Sequence, residues 1–370
     1  MKILVTGAEG FIAKNLIVRL EELPGFEVVR FSRQTSEADL PGLVAGVDAV
    51  VHLAGVNRPQ SPDEFAAGNA GLTQTLCDAI LATGRAVPVI LSSSIQAALD
   101  NPYGKSKREA EEIVRGYGRM SGAPVYVYRL PNVFGKWCKP NYNSVVATFC
   151  HNIARGLPIT VNDSGPPLSL VYVDDLVEEF IRVLQDLPPV DAAAVCSVPV
   201  EYGTTVRELA SQLEKFRDSR TSLISERVGA GLTRALYSTY VSYLPPAAFA
   251  YTVPKYGDPR GVFVEMLKTK DSGQFSVFTA HPGVTRGGHY HHSKTEKFLV
   301  ITGRARFGFR EILSNETCEI ITSGDEPQIV ESIPGWSHDI TNIGEDEMVV
   351  LLWANEIFDR ARPDTIASRV

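Results

Sequence analysis

The apolar residues of this chain keep one rhythm up to about residue 250 and another after it, and no single sheet or bundle accommodates both. In the first part, KILVT (2–6), EVVRF (27–31), DAVVHLAG (48–55), VPVILSSS (87–94) and VYVYRL (125–130) read as buried strands. Helical-period segments such as FIAKNLIVRLEEL lie between them. That alternation predicts an α/β, doubly wound parallel sheet. After LYSTYVSYLPPAAFAYTVP, whose prolines 245, 246 and 254 interrupt an aromatic stretch, helical signals almost vanish. QFSVFTAH, TEKFLVIT, RARFGFR, ETCEIIT, QIVESIP and EMVVLLW recur at the spacing of a small all-β barrel or sandwich. The expected organisation is an α/β domain over 1–243, a linker over 244–256 and an all-β domain over 257–370.

Composition narrows the partners. With 370 residues, 44% of them hydrophobic, the chain can bury two cores. A formal net charge of -7 and the lack of a Lys/Arg block argue against nucleic acid or an anionic membrane as the main partner. The five cysteines are scattered without a Cys-x-x-Cys pair, which fits a reducing compartment. No apolar run reaches the roughly 18 residues of a membrane span, and MKILVTGAEG enters a structured motif directly, so the expected location is the cytoplasm.

The turn after the first strand carries Gly7 and Gly10, which let backbone N–H groups and a helix N-terminus approach a pyrophosphate. The spacing Thr6-Gly7-x-x-Gly10-x-x-Ala13 resembles the extended short-chain dehydrogenase/reductase family, on a Rossmann-like sheet. Further landmarks of that family follow in order: HLAG (52–55), Asn69, the serines 92–94, Tyr103 with Lys107, PNVFG (131–135) and YVDDL (172–176). The resemblance implies Ser94, Tyr103 and Lys107 as catalytic residues. It places the cofactor against Gly7, Glu9, Gly10, Phe11, Ile12, Ser32, Arg33, Leu53, Ala54, Gly55, Asn69 and Lys107. Tyr103 and Lys107 stand one helical turn apart, so the ammonium is expected beside the phenol, favouring its ionised form for proton transfer to a carbonyl oxygen. After the second strand, FSRQT replaces the acid usual in NAD enzymes; Ser32 and Arg33, with Arg30 nearby, suit the 2'-phosphate of NADPH. The other reading makes Arg33 a solvated loop charge. By the same resemblance Asn132, Lys136, Lys139 and Asn143 grip a nucleotide-sugar diphosphate, although the lysines read equally as surface charges.

The all-β part opens with GVTRGGHYHHSKTEKFLVITG (283–303), three of the seven histidines in one stretch. Gly283, His289, His291, Glu296 and Gly303 stand at the spacing of the first cupin motif, and His338 with Asn342 resembles the second. Residues 289 and 291 of a strand share a face, and a returning strand brings Glu296 alongside. His289, His291, Glu296 and His338 thereby form a ligand set for Zn²⁺ or another divalent first-row metal. The competing reading is a metal-free barrel with a histidine base, as in sugar 3,5-epimerases. His292 points to the opposite face, as a structural or supporting residue. Pro334 and Gly335 are adjacent where the family writes Pro-x-Gly, so the loop before His338 is expected to differ.

A reductase joined to a metal cupin (double-stranded β-helix, or jelly roll) resembles the CapF-type family of bifunctional capsular-polysaccharide enzymes. LSSSIQA, DNPYG, FGKWCKPNYNSV, LYSTYVSYLP and HHSKTEKFLV carry that likeness from end to end. It implies a UDP-linked 4-keto-6-deoxy-N-acetyl sugar as substrate, on the route to UDP-N-acetyl-L-fucosamine in capsule or O-antigen biosynthesis. The cupin epimerises C3 of UDP-2-acetamido-2,6-dideoxy-4-hexulose, and the reductase then uses NADPH on the C4 ketone, giving UDP-2-acetamido-2,6-dideoxy-L-talose. The C3 base is open between Tyr290 and His291. A homodimer through the cupin is the family expectation. The alternative is a single-function nucleotide-sugar reductase or dehydratase whose cupin only senses ligand or dimerises.

Overall fold

The computed structural model describes residues 1–57, 61, 63–162, 165–191, 194–254, 256–258, 261–263, 266–269, 273–356 and 361–370. Residue 255 of the expected linker, and 259–260, 264–265, 270–272 and 357–360 of the expected all-β domain, lie outside them. Contacts divide the chain into two compact units, 1–139 with 168–203, and 140–167 with 204–370. The limits at 243 and 257 stand as a proposal about where the two hydrophobic rhythms meet.

In the first unit, strands β1 (Lys2–Thr6), β2 (Glu27–Phe31), β3 (Ala49–His52), β4 (Val89–Ser94) and β5 (Val125–Leu130) form one parallel sheet in the order β2-β1-β3-β4-β5. Helices α1 (Phe11–Glu22), α2 (Leu72–Ala82) and α3 (Pro102–Ser121) connect them, as a Rossmann-like fold requires. A strand covered on both faces must be apolar throughout, and Leu4, Val50, Val89, Leu91 and Val127 pack with Leu76, Ile80 and Val114 in the core. The strand order reverses between β1 and β3, which opens a crevice at their C-terminal ends. Beyond the sheet, β6 (Asn132–Phe134) pairs in parallel with β7 (Leu168–Tyr172), which runs into α4 (Val173–Asp186).

The second unit is built on two antiparallel five-stranded sheets. One has the order β8 (Ala250–Thr252), β14 (Gln328–Glu331), β11 (Glu296–Thr302), β16 (Met348–Ala354), β9 (Gln274–Ala280). The other runs β13 (Thr317–Ser323), β12 (Arg304–Glu311), β15 (Trp336–Asn342), β10 (Thr285–Tyr290), β17 (Ile366–Ala367). This is the cupin-like all-β architecture expected of the C-terminal part. Helices α5 (Val206–Ser222) and α6 (Gly231–Ser242) belong to the same unit. Arg220 of α5 and Lys297 of β11 both bond the buried carboxylate of Glu331 on β14, and the Tyr237 hydroxyl of α6 donates to it at 3.3 Å. Burial alone would neutralise Glu331, but the two cations hold it below the usual carboxylate range. No disulfide joins the five cysteines, and among the described residues no helix is long and apolar enough to cross a membrane.

Candidate functional site

Tyr103 sits in the first turn of α3, whose start is fixed by Asn101 accepting from the Gly104 N–H at 2.8 Å. Its phenol is hydrogen-bonded to Ser94, the last residue of β4, and its ring packs 5.5 Å from that of Phe65. Lys107, one turn on, is buried and donates to the Ser92 carbonyl at 3.1 Å, with its ammonium 6.0 Å from the Tyr103 ring centre. The three expected catalytic residues are therefore together. Their electrostatics differ from the sequence reading: burial raises the phenol above its usual value, and the hydrogen bond to Ser94 offsets only part of that. Burial also pushes the Lys107 ammonium down to about 8.

A relay of neutral groups, invisible in sequence because its members lie far apart, ties the glycine turn to this helix. Thr6 Oγ1 accepts from the Leu53 and Ala54 N–H groups, both at 3.1 Å, which also ends β3 at His52. Its own proton therefore goes to His52 Nδ1 at 2.6 Å. His52 Nε2–H then faces Thr73 Oγ1 at 2.8 Å, and Thr73 donates to the Asn69 carbonyl at 2.6 Å. Asn69 Nδ2 donates to Ser106 Oγ at 2.9 Å, and Ser106 to the Tyr103 carbonyl at 2.9 Å. Burial, with Lys107 adding repulsion, pushes His52 down to about 3, so it stays the neutral tautomer this relay needs. Glu111, fully buried on α3, clamps Ser93 against Arg129.

At the cofactor end, Gly7 has φ of 66°, and a side chain there would meet the Ala54 backbone at 2.8 Å. Helix α1 begins at Phe11 behind Gly10 with no side-chain cap, so the N–H groups of Phe11 and Ile12 are left to a ligand, beside exposed Glu9. Ser32 caps its own turn by accepting from Gln34 N–H at 3.2 Å. Arg30 is paired with Glu21 at 2.6 Å, whereas Arg33 is exposed and meets no carboxylate among the described residues. Asn132 and Lys139 are exposed in the first unit and Asn143 lies in the second. Lys136, read from the sequence as a diphosphate contact or a surface charge, is 1% exposed, with its ammonium 2.6 Å from Asp174 Oδ1, so it is not a surface charge.

In the second unit His289, His291, Glu296 and His338 converge, their ligand atoms all within 4.8 Å of one another. Register puts His289 of β10 directly opposite His338 of β15. Strand β10 ends at Tyr290, so His291 stands just past it, held by Nδ1 donating to the Asp364 carbonyl at 2.5 Å. That bond turns Nε2 toward Glu296 Oε2, 3.0 Å away. Asp364 also accepts from the N–H groups of His292, Ser293 and Lys294 at 2.7 to 2.9 Å, so the C-terminal segment fixes the loop between the ligands. The Pro334–Gly335 loop is tied to the same stretch, Gly335 N–H donating to the His291 carbonyl at 3.0 Å. Asn342 is structural, donating to the Ala280 and Asp346 carbonyls.

Burial and the other imidazoles push His289 down to about 3, while the imidazoles hold Glu296 well below the carboxylate range. Three imidazoles and one carboxylate are a divalent-metal donor set. The fit has a second sign: both ring nitrogens of His338 are buried without a hydrogen-bond partner, and Glu296 lies 3.3 Å from Nε2. The cluster faces a cavity of about 290 Å³ lined by His289, Glu296, His338, Arg286, Asp339, Phe298 and Phe307, among others. Neither Tyr290 nor His291 lines that cavity, and both are buried.

Comparison with known proteins also finds two parts along the chain. The NAD dependent epimerase/dehydratase family matches residues 3–192, and the polysaccharide biosynthesis C-terminal domain matches 256–366. A UDP-2-acetamido-2,6-beta-L-arabino-hexul-4-ose reductase of Pseudomonas aeruginosa is 59% identical over 370 residues, covering 100% of this chain and 99% of the relative. The crystal structure of the capsular polysaccharide assembling protein CapF from Staphylococcus aureus superposes with a TM-score of 0.69 at 43% identity, covering 100% of both chains. RMD from Pseudomonas aeruginosa, solved with NADPH, covers 59% of this chain and 82% of its own at 26% identity and a TM-score of 0.51.

Proposed function

The chain belongs to the NAD dependent epimerase/dehydratase family, joined to a polysaccharide biosynthesis C-terminal domain, and on that premise we propose a nucleotide-sugar enzyme with two activities. The first unit reduces the C4 ketone of a UDP-linked 2-acetamido-2,6-dideoxy-4-hexulose with NADPH. The cupin inverts C3 of the same sugar beforehand, giving UDP-2-acetamido-2,6-dideoxy-L-talose for capsule or O-antigen assembly. One observation carries the second activity: three histidines and a glutamate drawn together at the floor of a cavity, with Glu296 3.3 Å from His338 Nε2.

NADPH, held at the Gly7–Gly10 turn and by Arg33, would supply the hydride to C4. Tyr103 gives its proton to the ketone oxygen, Ser94 donates a hydrogen bond to that oxygen, and Lys107 offers its ammonium beside the phenol to restore the proton. Burial keeps the phenol protonated until a ketone arrives, the state a proton donor needs. Arg33 favours NADPH over NADH because its guanidinium is the cation left available after β2. Asn132 and Lys139 stand as diphosphate contacts in the first unit.

His289, His291, Glu296 and His338 would hold the metal, zinc ahead of others because imidazole and carboxylate suit it. When bound, it supplies a Lewis acid that acidifies the proton on C3 next to the ketone. Phe298 and Phe307 keep the cavity dry around that carbon. Edge strand β9 exposes Phe275 and Val277, 46% and 65%, which supports pairing of two cupins in a homodimer. Elemental analysis of the purified protein, with NADPH oxidation measured on the UDP-4-hexulose, tests the reading. About one divalent metal per chain and turnover are expected; a metal-free protein of full activity overturns the role given to the cluster.

A further inference from the structure

In an uninterrupted strand, residues 286 and 289 are an odd number apart and face opposite sides of the sheet. Here both line the cavity that holds the histidine cluster. The cause is a bulge in β10. Arg286 pairs with Ile340 and Gly287 with Asp339, but His289 pairs with His338, leaving Gly288 with no residue opposite. One extra residue brings 286 and 289 to the same face. Gly287 and Gly288 adopt φ of 95° and 75°, and a side chain at 287 would sit 2.9 Å from the His338 carbonyl oxygen, so this pair of glycines makes the bulge possible.

What the bulge aims into the cavity is a cation. The Arg286 guanidinium lies over the Phe278 ring, 5.5 Å from its centre, and meets no carboxylate among the described residues. The acids of the cavity are already engaged. Glu296 contacts His291, His338 and Lys294, and Asp339 lies 3.2 Å from Arg306. Arg286 is exposed while His338 is buried, so the cation marks the open side and the imidazoles the floor. At about 290 Å³ the cavity lies at the low end for whole ligands, roughly 300 to 1,000 Å³. A sugar ring fits it; the nucleotide stays outside.

We propose that Arg286 anchors the diphosphate of the sugar nucleotide at the mouth of the cupin and so sets how far the sugar ring reaches toward the histidine cluster. A planar guanidinium with free donors on a rigid aromatic face suits a phosphate, and its place on the strand of His289 fixes the span between anchor and reacting carbon. The inference rests on the epimerase reading above. The test is solvent deuterium incorporation at C3 of UDP-2-acetamido-2,6-dideoxy-4-hexulose, without NADPH, in full-length wild type, Arg286→Ala and Arg286→Lys. Arg286→Ala should raise KM roughly 10- to 100-fold, with a smaller change in kcat and unchanged metal content; Arg286→Lys should recover part of the loss. A wild-type KM in a folded Arg286→Ala protein, or a fall in kcat that follows lost metal, overturns the anchor alone. No exchange in wild type overturns the epimerase reading and the anchor with it.

Discussion

In the site of the first unit the polar groups complete one another's hydrogen bonds, and in the site of the second they converge on one point. Around Tyr103 each polar group from Thr6 through His52, Thr73, Asn69 and Ser106 has a partner, and the groups are neutral. Around His338 four ionisable side chains crowd together, and two buried ring nitrogens have no partner. Both sites use burial to shift a titration, but to different ends. In the first, burial keeps a proton on Tyr103; in the second, it disfavours protonation of His289 and His338. On the proposed reading the protein's own groups set the proton on Tyr103, and a bound cation would balance the charge at the histidine cluster.

That contrast can be broken by substitutions on either side. Tyr103→Phe removes the donor from the first site and should lower NADPH oxidation on the 4-ketosugar by about 10² to 10⁴-fold, with metal content unchanged. Normal turnover in that variant would remove the residue from the chemistry. On the other side, Asp364→Ala removes the carboxylate that holds the loop 292–294 and keeps the backbone carbonyl bonded to His291. Metal affinity, read by chelator competition, should fall about 10- to 100-fold, and an unchanged affinity would show that the C-terminal segment is not part of the site. Arg33→Ala should raise KM for NADPH about 10-fold and leave that for NADH nearly unchanged; equal effects on both would mean that the 2'-phosphate is read elsewhere.

The smallest expected effect concerns stability. Lys107 has a folded-state pKa of about 8 against its usual 10.5, so between those values the unfolded chain binds more protons than the folded one. The buried ammonium therefore destabilises the fold below pH 8, and the penalty fades as pH rises toward 10.5. Lys107→Met should stabilise the cofactor-free protein by about 1 to 2 kcal/mol at pH 7 and by little near pH 10, while abolishing reduction. Denaturant melts at the two pH values measure it, and a destabilised variant at pH 7 would contradict the burial argument.

The sequence made the parallel sheet legible because buried strands such as β1 and β5 write themselves as continuous apolar runs; edge strand β2, expected buried, is half-exposed but still spans EVVRF. The cluster was legible as spacing, since His289, His291, Glu296 and His338 converge; that they hold a metal is the proposal. Spacing could not show that β10 stops at Tyr290, nor that Asp364, over seventy residues downstream, turns His291 toward its partners. The adjacent glycines 287 and 288 were the one visible sign of the bulge. Lys136 misled because a lysine in a loop-like stretch reads as solvated, and only the fold reveals Asp174 beside it. The effect of Lys107 on the phenol was overstated for a related reason: helical spacing gives proximity, while burial sets the direction of the shift.

The most direct measurement is proton exchange at C3 in deuterium oxide, followed by NMR or mass spectrometry, with no NADPH present. Metal-loaded wild type should place deuterium at C3 of the UDP-4-hexulose; Tyr103→Phe should do so too, and His338→Ala should not. Exchange should stop in protein stripped by a chelator and return when metal is restored. If the stripped protein exchanges C3 as fast as the loaded one, the histidine cluster is a structural site and the account of the cupin is wrong.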